Sequence, residues 1–292
     1  MFVVAGATGK TGSVVAATLL ERKQPVRIIV RTSEQGTAWK AKGADVAVAS
    51  LEDSEALANA LKGATGGYFL VPPNYKASQY LNDRKRLVDS LTAAVKSSGL
   101  HHLVFLSSIG AHVPTETGPI RALHYAERRL GAVAQSMTIV RAPYFMENWM
   151  PDLSAARTQG ILPSFLSAGR KIAMIAACDI GRIAAECVLD QPKGRRVLEL
   201  SGPHEYSPND VAAVMGEHFR KHVTVQQLPL RAVVPTLTSM GCSDDVAKLF
   251  EEMYAGLDSG RITWEGNGAC RPRGLVTLSE TVSAWISSSA ER

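Results

Sequence analysis

Short apolar runs alternate with amphipathic stretches over the first two hundred residues of the chain. The runs at 2–5, 26–30, 46–49, 68–71, 102–107 and 137–140 read as near-continuous hydrophobic segments. Runs of that kind predict strands covered on both faces. Between them, the stretches 11–22, 35–42, 54–61, 78–98 and 120–134 carry helical periodicity. Alternation of this kind predicts βαβ units, and therefore an α/β, doubly wound parallel sheet of Rossmann type with helices on both faces.

The regular spacing breaks after about residue 148, where Pro151, Gly160, Pro163 and Gly169 punctuate the chain. Asp179 is expected to cap a helix over 180–189, and 196–200 is expected to form one more strand. Ser207 followed by Pro208 opens another helix, a hydroxyl cap with proline at the first helical position. Residues 229–292 read as mostly helical, with joints at Gly256, Gly260, Gly266 and Gly268. The expected division is a dinucleotide-type domain at 1–150, with further sheet strands within 172–200, and a smaller, mostly helical substrate region at 151–292.

Composition narrows the field. Hydrophobic residues are 46% and charged residues 20% of 292, which is globular rather than disordered. Lys plus Arg less Asp plus Glu is 32 − 27, or +5, and the surplus is spread along the chain. It permits a small anionic ligand and does not suggest nucleic acid. Cys178, Cys187, Cys242 and Cys270 contain no CxxC pair, so zinc and dithiol redox sites are not indicated. Scattered thiols in a chain of this size suggest a reducing, cytoplasmic setting. The N-terminal segment lacks a basic n-region, and no run approaches the ~18 apolar residues of a membrane span.

The strongest local signal is Gly6-Ala7-Thr8-Gly9-Lys10-Thr11-Gly12, between the first strand and the first helix. That context suits a dinucleotide fingerprint. The first glycine allows a tight turn, the second a close backbone approach to pyrophosphate, and the third close helix–strand packing. The amides and dipole at the helix start then hold the anion. The Gly-Lys-Thr tail does not make this a P-loop, because the position that Walker A needs as its first glycine is Val4. Arg31 stands nineteen residues after Gly12, at the end of the second strand, with no acidic residue there. An acid at this point would favour NAD, whereas a guanidinium suits a 2′-phosphate. Thr32, Ser33 and Lys10 offer further donors, and NADP(H) is the expected cofactor.

Several segments together resemble the NmrA-like family of atypical short-chain dehydrogenase/reductases. They are the loop 6–12, Val30-Arg31, Phe69-Leu70-Val71-Pro72-Pro73, the stretch 103–111, His124-x-x-Glu127-x-x-Leu130, the stretch 138–148 and the stretch 200–207. The resemblance implies that Gly6 to Gly12 cradle the pyrophosphate and Arg31 the 2′-phosphate. It places Leu51 and its neighbours near adenine and Leu70, Val71 and Pro72 beside the nicotinamide ribose. Ser107, Ser108, Pro143, Tyr144 and Phe145 would lie around the nicotinamide. Ser108, Tyr144, Phe145, Asn148 and Trp149 would meet substrate. Trp149, Met146 and Met150 are candidates for the wall of a hydrophobic substrate pocket, as are Met240, Cys242 and Met253, and core packing explains each of them at least as well.

The superfamily's Tyr-x-x-x-Lys pair is missing, since Tyr125 is followed four residues later by Arg129. His124 is the preferred candidate for a cofactor or substrate contact and proton donor, with Tyr125 as the alternative. The resulting expectation is an NADPH-dependent reductase of a small hydrophobic acceptor, such as a quinone or aromatic carbonyl. The alternative is an NADP(H) sensor that changes its binding to a regulatory protein partner. His218 and His222 have i, i+4 spacing but no third ligand, so no metal is expected. His101 and His102 read as turn residues, and Arg84-Lys85-Arg86 as a solvated helix face.

Overall fold

A computed structural model describes residues 1–290. The chain opens with β1 (Phe2–Ala5), α1 (Lys10–Glu21), β2 (Val26–Val30), α2 (Ser33–Ala41), β3 (Asp45–Val48) and α3 (Ser54–Leu61). It continues with β4 (Gly66–Leu70), α4 (Tyr80–Ser98), β5 (His102–Ser108), α5 (Ile120–Gly131) and β6 (Ser136–Ala142). Shorter pieces follow: β7 (Tyr144–Phe145), a 3₁₀ turn (Met146–Asp152), α6 (Leu153–Gln159), β8 (Ile161–Ser164) and β9 (Ile172–Ile175). The remainder is α7 (Ala177–Asp190), β10 (Gly194–Glu199), β11 (Glu205–Tyr206), α8 (Pro208–Phe219), β12 (Thr224–Gln227), α9 (Val233–Ser239), α10 (Asp244–Ser259) and α11 (Leu278–Ala290).

Among the described residues, seven strands form one sheet in the order β10-β6-β5-β4-β1-β2-β3, all parallel. This is the doubly wound Rossmann arrangement, with its switch point between β1 and β4. Side chains alternate across the pleat. Val4, Ile28, Tyr68, Val104 and Val140 pack under α1, α2 and α7. Val3, Ile29, Phe69, Phe105 and Ile139 pack under α3, α4 and α5. Two-sided burial is why these strands read as unbroken apolar runs.

A third core lies beyond the sheet and joins β7, β9, α8 and α11 around Trp149, Met174, Met215 and Trp285. Here β7, β9 and β11 make a small separate sheet, and β8 pairs with β12. Of the region 172–200, only β10 joins the main sheet, while β9 lies in the small one.

Three expectations need correction. Asp179 does not cap α7, which begins earlier because the Glu147 carboxylate accepts the Ala177 N–H at 3.0 Å. Asp179 instead accepts from the Val276 N–H at 2.8 Å and from Arg182 at 2.9 Å. His102 is no turn residue. It starts β5, is fully buried, lies 2.9 Å from the Ser136 hydroxyl, and burial pushes its imidazole down to about 4. His222 lies beyond the end of α8, so the histidine pair does not share a helix face.

The sheet and the C-terminal segment meet at one polar cluster. Arg141, on β6, donates to both Glu127 oxygens at 2.9 and 2.7 Å and to Glu265 at 2.6 Å. Its guanidinium is also 3.7 Å from Glu199, which is fully buried. Glu199 accepts the backbone N–H groups of Glu265 and Gly266 at 2.7 and 3.0 Å. Arg141→Met strands two buried carboxylates and is expected to lower stability by about 3–5 kcal/mol. Breaking the exposed Arg22–Glu186 pair is expected to cost under about 1 kcal/mol. Urea unfolding of the two variants checks the contrast.

Candidate functional site

The turn after β1 is built by its glycines. Gly6 has φ +71°, in the left-handed region that glycine adopts without strain. At Gly12 a Cβ would stand 2.4 Å from the Gly6 carbonyl oxygen, so α1 sits against the turn as only glycine permits. Helix α1 starts at Lys10 with no side-chain cap. Its first amides therefore have no intrahelical acceptor and face the carboxyl end of the sheet.

Two cavities meet at this loop. The outer one, about 430 Å³, runs from Gly6 and Thr8 past Arg31, Gln35, Leu51 and Glu52 to Asn74 and Arg84. The inner one, about 640 Å³, runs from the same loop past Val71, Ser107, Ser108 and Pro143 to Tyr144, Phe145 and Asn148. Its far wall is Leu123, Met253, Leu257 and Ile262. Gly6, Thr8, Leu70, Pro72 and Pro73 border both, so one cleft crosses the switch point. Its outer half mixes polar and apolar groups in near-equal measure and its inner half is largely apolar. Two lobes joined over bare helix amides suit a dinucleotide, with the adenosine half outside and the reactive ring inside.

Arg31 is exposed at the end of β2 and lines the outer lobe. Its guanidinium has no hydrogen bond or ion pair among the described residues, while its backbone N–H is held by the Gln35 side chain at 3.1 Å. Arg84 is only 3% exposed and corrects the expectation of a solvated basic face. It donates to the Pro72 carbonyl at 2.8 Å and lies 3.5 Å from Glu52, pinning the strap between the lobes. Lys85 and Arg86 do face solvent.

Other expected site residues sit at varying distances from the cleft. Ala7 packs into the core beneath α1 and Thr32 is exposed outside the cavity lining, so neither side chain forms the wall. The Thr11 hydroxyl is 2.8 Å from that of Tyr68, and burial raises the Tyr68 phenol far above its usual range. Thr11 thus offers the cleft only its backbone. The Ser107 hydroxyl donates to Glu127 at 2.6 Å, and that of Ser108 to the Ile109 carbonyl at 2.9 Å. Lys10 reaches over the loop to the Glu147 carbonyl at 3.4 Å.

His124 stands behind the wall. Its Nδ1 lies 2.8 Å from the Ala111 carbonyl, which can only accept, so Nδ1 carries the proton. Tyr125 is turned away from the cleft. Its hydroxyl donates to Asp89 at 2.8 Å, an acceptor that Arg129 shares at 2.9 Å. Trp149 borders a smaller side chamber rather than the main cleft. Burial raises the Tyr144 phenol well above its usual value and pushes Tyr80 up to about 12, so both stay protonated in the inner lobe.

Sequence reasoning left Met253 open between pocket wall and core, and missed Gln35, Arg84, Leu257 and Ile262. A one-turn spacing from Arg31 marks Gln35. No local signal marks the others, which enter the cleft only through the fold.

The family model described as the NmrA-like family matches residues 1–262. An NAD(P)H azoreductase of Xenophilus azovorans is 27% identical over 255 residues, covering 87% of this chain and 86% of that protein. Quinone oxidoreductase 2 of Escherichia coli (strain K12) is 25% identical over 288 residues, covering 97% and 98%. Among solved structures, an NADPH-dependent quinone oxidoreductase from Escherichia coli complexed with NADPH superposes with a TM-score of 0.80. It is 24% identical over 98% of this chain and 100% of that one.

Gly12→Ala forces α1 away from the turn. Titration with NADPH is expected to show affinity weakened at least about tenfold, with the far-ultraviolet circular dichroism of the native fold retained.

Proposed function

The chain belongs to the NmrA-like family, and from that premise we propose that it is an NADPH-dependent oxidoreductase. Its acceptor in this reading is a small hydrophobic molecule, a quinone or aromatic carbonyl. The observation that carries the proposal is the single cleft with an unpaired guanidinium at one end and an apolar chamber at the other. The curated relatives named for azo and quinone reduction support it.

In this reading the bound nicotinamide supplies the hydride. The protein supplies binding and orientation. The amides at the start of α1 hold the pyrophosphate, and Arg31 meets the 2′-phosphate as a planar donor fork. Leu70, Val71 and Pro72 border the passage to the inner lobe. Leu123, Met253, Leu257 and Ile262 exclude water and present an apolar face to an aromatic acceptor. No carboxylate or imidazole lines the inner lobe among the described residues. Quinone reduction suits a lobe without carboxylate or imidazole, because its hydroquinone anion can take a proton from solvent.

Arg31→Ala is expected to weaken NADPH binding by about tenfold or more, the scale of one charge-assisted phosphate contact. NADH binding should hardly change. An equal loss for both cofactors removes Arg31 from 2′-phosphate recognition. With a quinone panel, consumption of NADPH should be followed at the nicotinamide absorbance band. Tight NADPH binding without turnover on any acceptor would replace the reductase with a nucleotide sensor.

His124→Ala is expected to keep quinone turnover within about threefold of the parent, against the ~10²-fold or greater loss expected of a general acid. A loss of that larger size would return the imidazole to the proton path.

A further inference from the structure

Behind the inner lobe lies a second chamber of about 190 Å³, for which neither the hydride donor nor the acceptor ring has a use. Tyr144 and Asn148 belong to the lining of both spaces. Four aromatic rings stand in the chamber's wall, beside Leu166, Leu228, Leu237 and Met240. Tyr144 and Trp149 are tilted against each other with centroids 5.9 Å apart, and Phe165 and Tyr254 likewise at 5.2 Å. These four rings come from β7, the 3₁₀ turn, the segment after β8, and α10.

One ionisable carboxyl completes the wall. Asp152 ends the 3₁₀ turn, and its carboxylate has no hydrogen bond or ion pair among the described residues. No Lys, Arg or His lines the chamber, although the chain as a whole carries a net charge of +5. Burial alone raises the carboxyl, to about 6, and nothing positive offsets it. An unpaired, half-buried carboxylate is a cost to the fold, and such costs persist where a ligand meets them. The Trp149 ring closes this side of the wall, and the residue is only 3% exposed.

A carboxylate set among aromatic faces is complementary to an organic cation. The ring quadrupoles attract an ammonium group, and the carboxylate neutralises it. We propose that this chamber binds an alkylammonium group, carried as the distal arm of the acceptor whose ring lies in the inner lobe. The chamber's ligand class stands on its own walls; only the attachment to an acceptor rests on the reductase reading.

Choline and its uncharged carbon isostere, dimethylbutanol, separate charge from shape. Calorimetry on the full chain, with and without NADPH, should show choline binding at least about tenfold more tightly. Asp152→Asn should abolish that preference. The same variant should unfold at a higher temperature at neutral pH, because it removes an ionised group that the fold disfavours above about 6. That gain also guards against a trivial loss of fold. In turnover, a quinone with a trimethylammonium arm should show a lower KM than its tert-butyl counterpart, with equal kcat, and Asp152→Asn should make the two KM values equal. Equal binding of choline and its isostere, or a preference unaltered by Asp152→Asn, overturns the proposal. Choline binding with no quinone turnover leaves the chamber standing and sinks the reductase reading. Turnover with no preference for the cation does the reverse.

Discussion

The guanidinium of Arg141 ties the main sheet to the C-terminal part. It sits on the strand next to the sheet edge and holds a carboxylate from α5, one from β10 and one from the segment after α10. A buried charge of this kind is stable only if its partners are complete. Glu127 also receives the Ser107 hydroxyl, so the carboxyl end of β5 is locked into the same cluster. The cleft floor and the chain that carries Ile262 to its far wall are therefore fixed relative to each other by one set of charges.

That constraint explains the division of chemistry along the cleft. The charged groups near the inner lobe are largely spent on one another, and its wall is left to apolar and aromatic side chains. In the outer lobe, Arg84 is likewise committed to backbone and carboxylate partners. Among the described residues that line the outer lobe, Arg31 remains as the unpaired cation. Small differences in which arginine is already paired thus decide where an anion is welcome.

The sequence made the sheet legible because two-sided burial leaves an unmistakable record. Five of the six expected early strands begin within one residue of the observed ones, and α3 matches at both ends. The short strands escaped because their backbone geometry comes from partners far along the chain. β8 contains Pro163, which argues against a strand until β12 supplies its neighbour. β7 has only two residues and becomes a strand by pairing with β9. The outer lobe was partly readable, since Arg31 and the glycine loop are separated by the length of one βαβ step. Arg84 was not, because its burial follows from Pro72 and Glu52, which lie earlier on the chain. The expected role of Tyr125 rested on helix spacing alone, and spacing does not reveal that Asp89 on α4 claims its hydroxyl.

The chain leaves the main sheet after β6, builds the small sheet, and then returns to add α7 and β10. α7 covers α1, and β10 hydrogen-bonds along the whole of β6. A polypeptide released after its first 150 residues would therefore expose the apolar flank of α1 and an unpaired edge on β6. The two halves are woven rather than joined, so neither is a module that recombination can transplant intact. New walls for the inner lobe would then arise by substitution in place, not by exchange of the C-terminal part as a block.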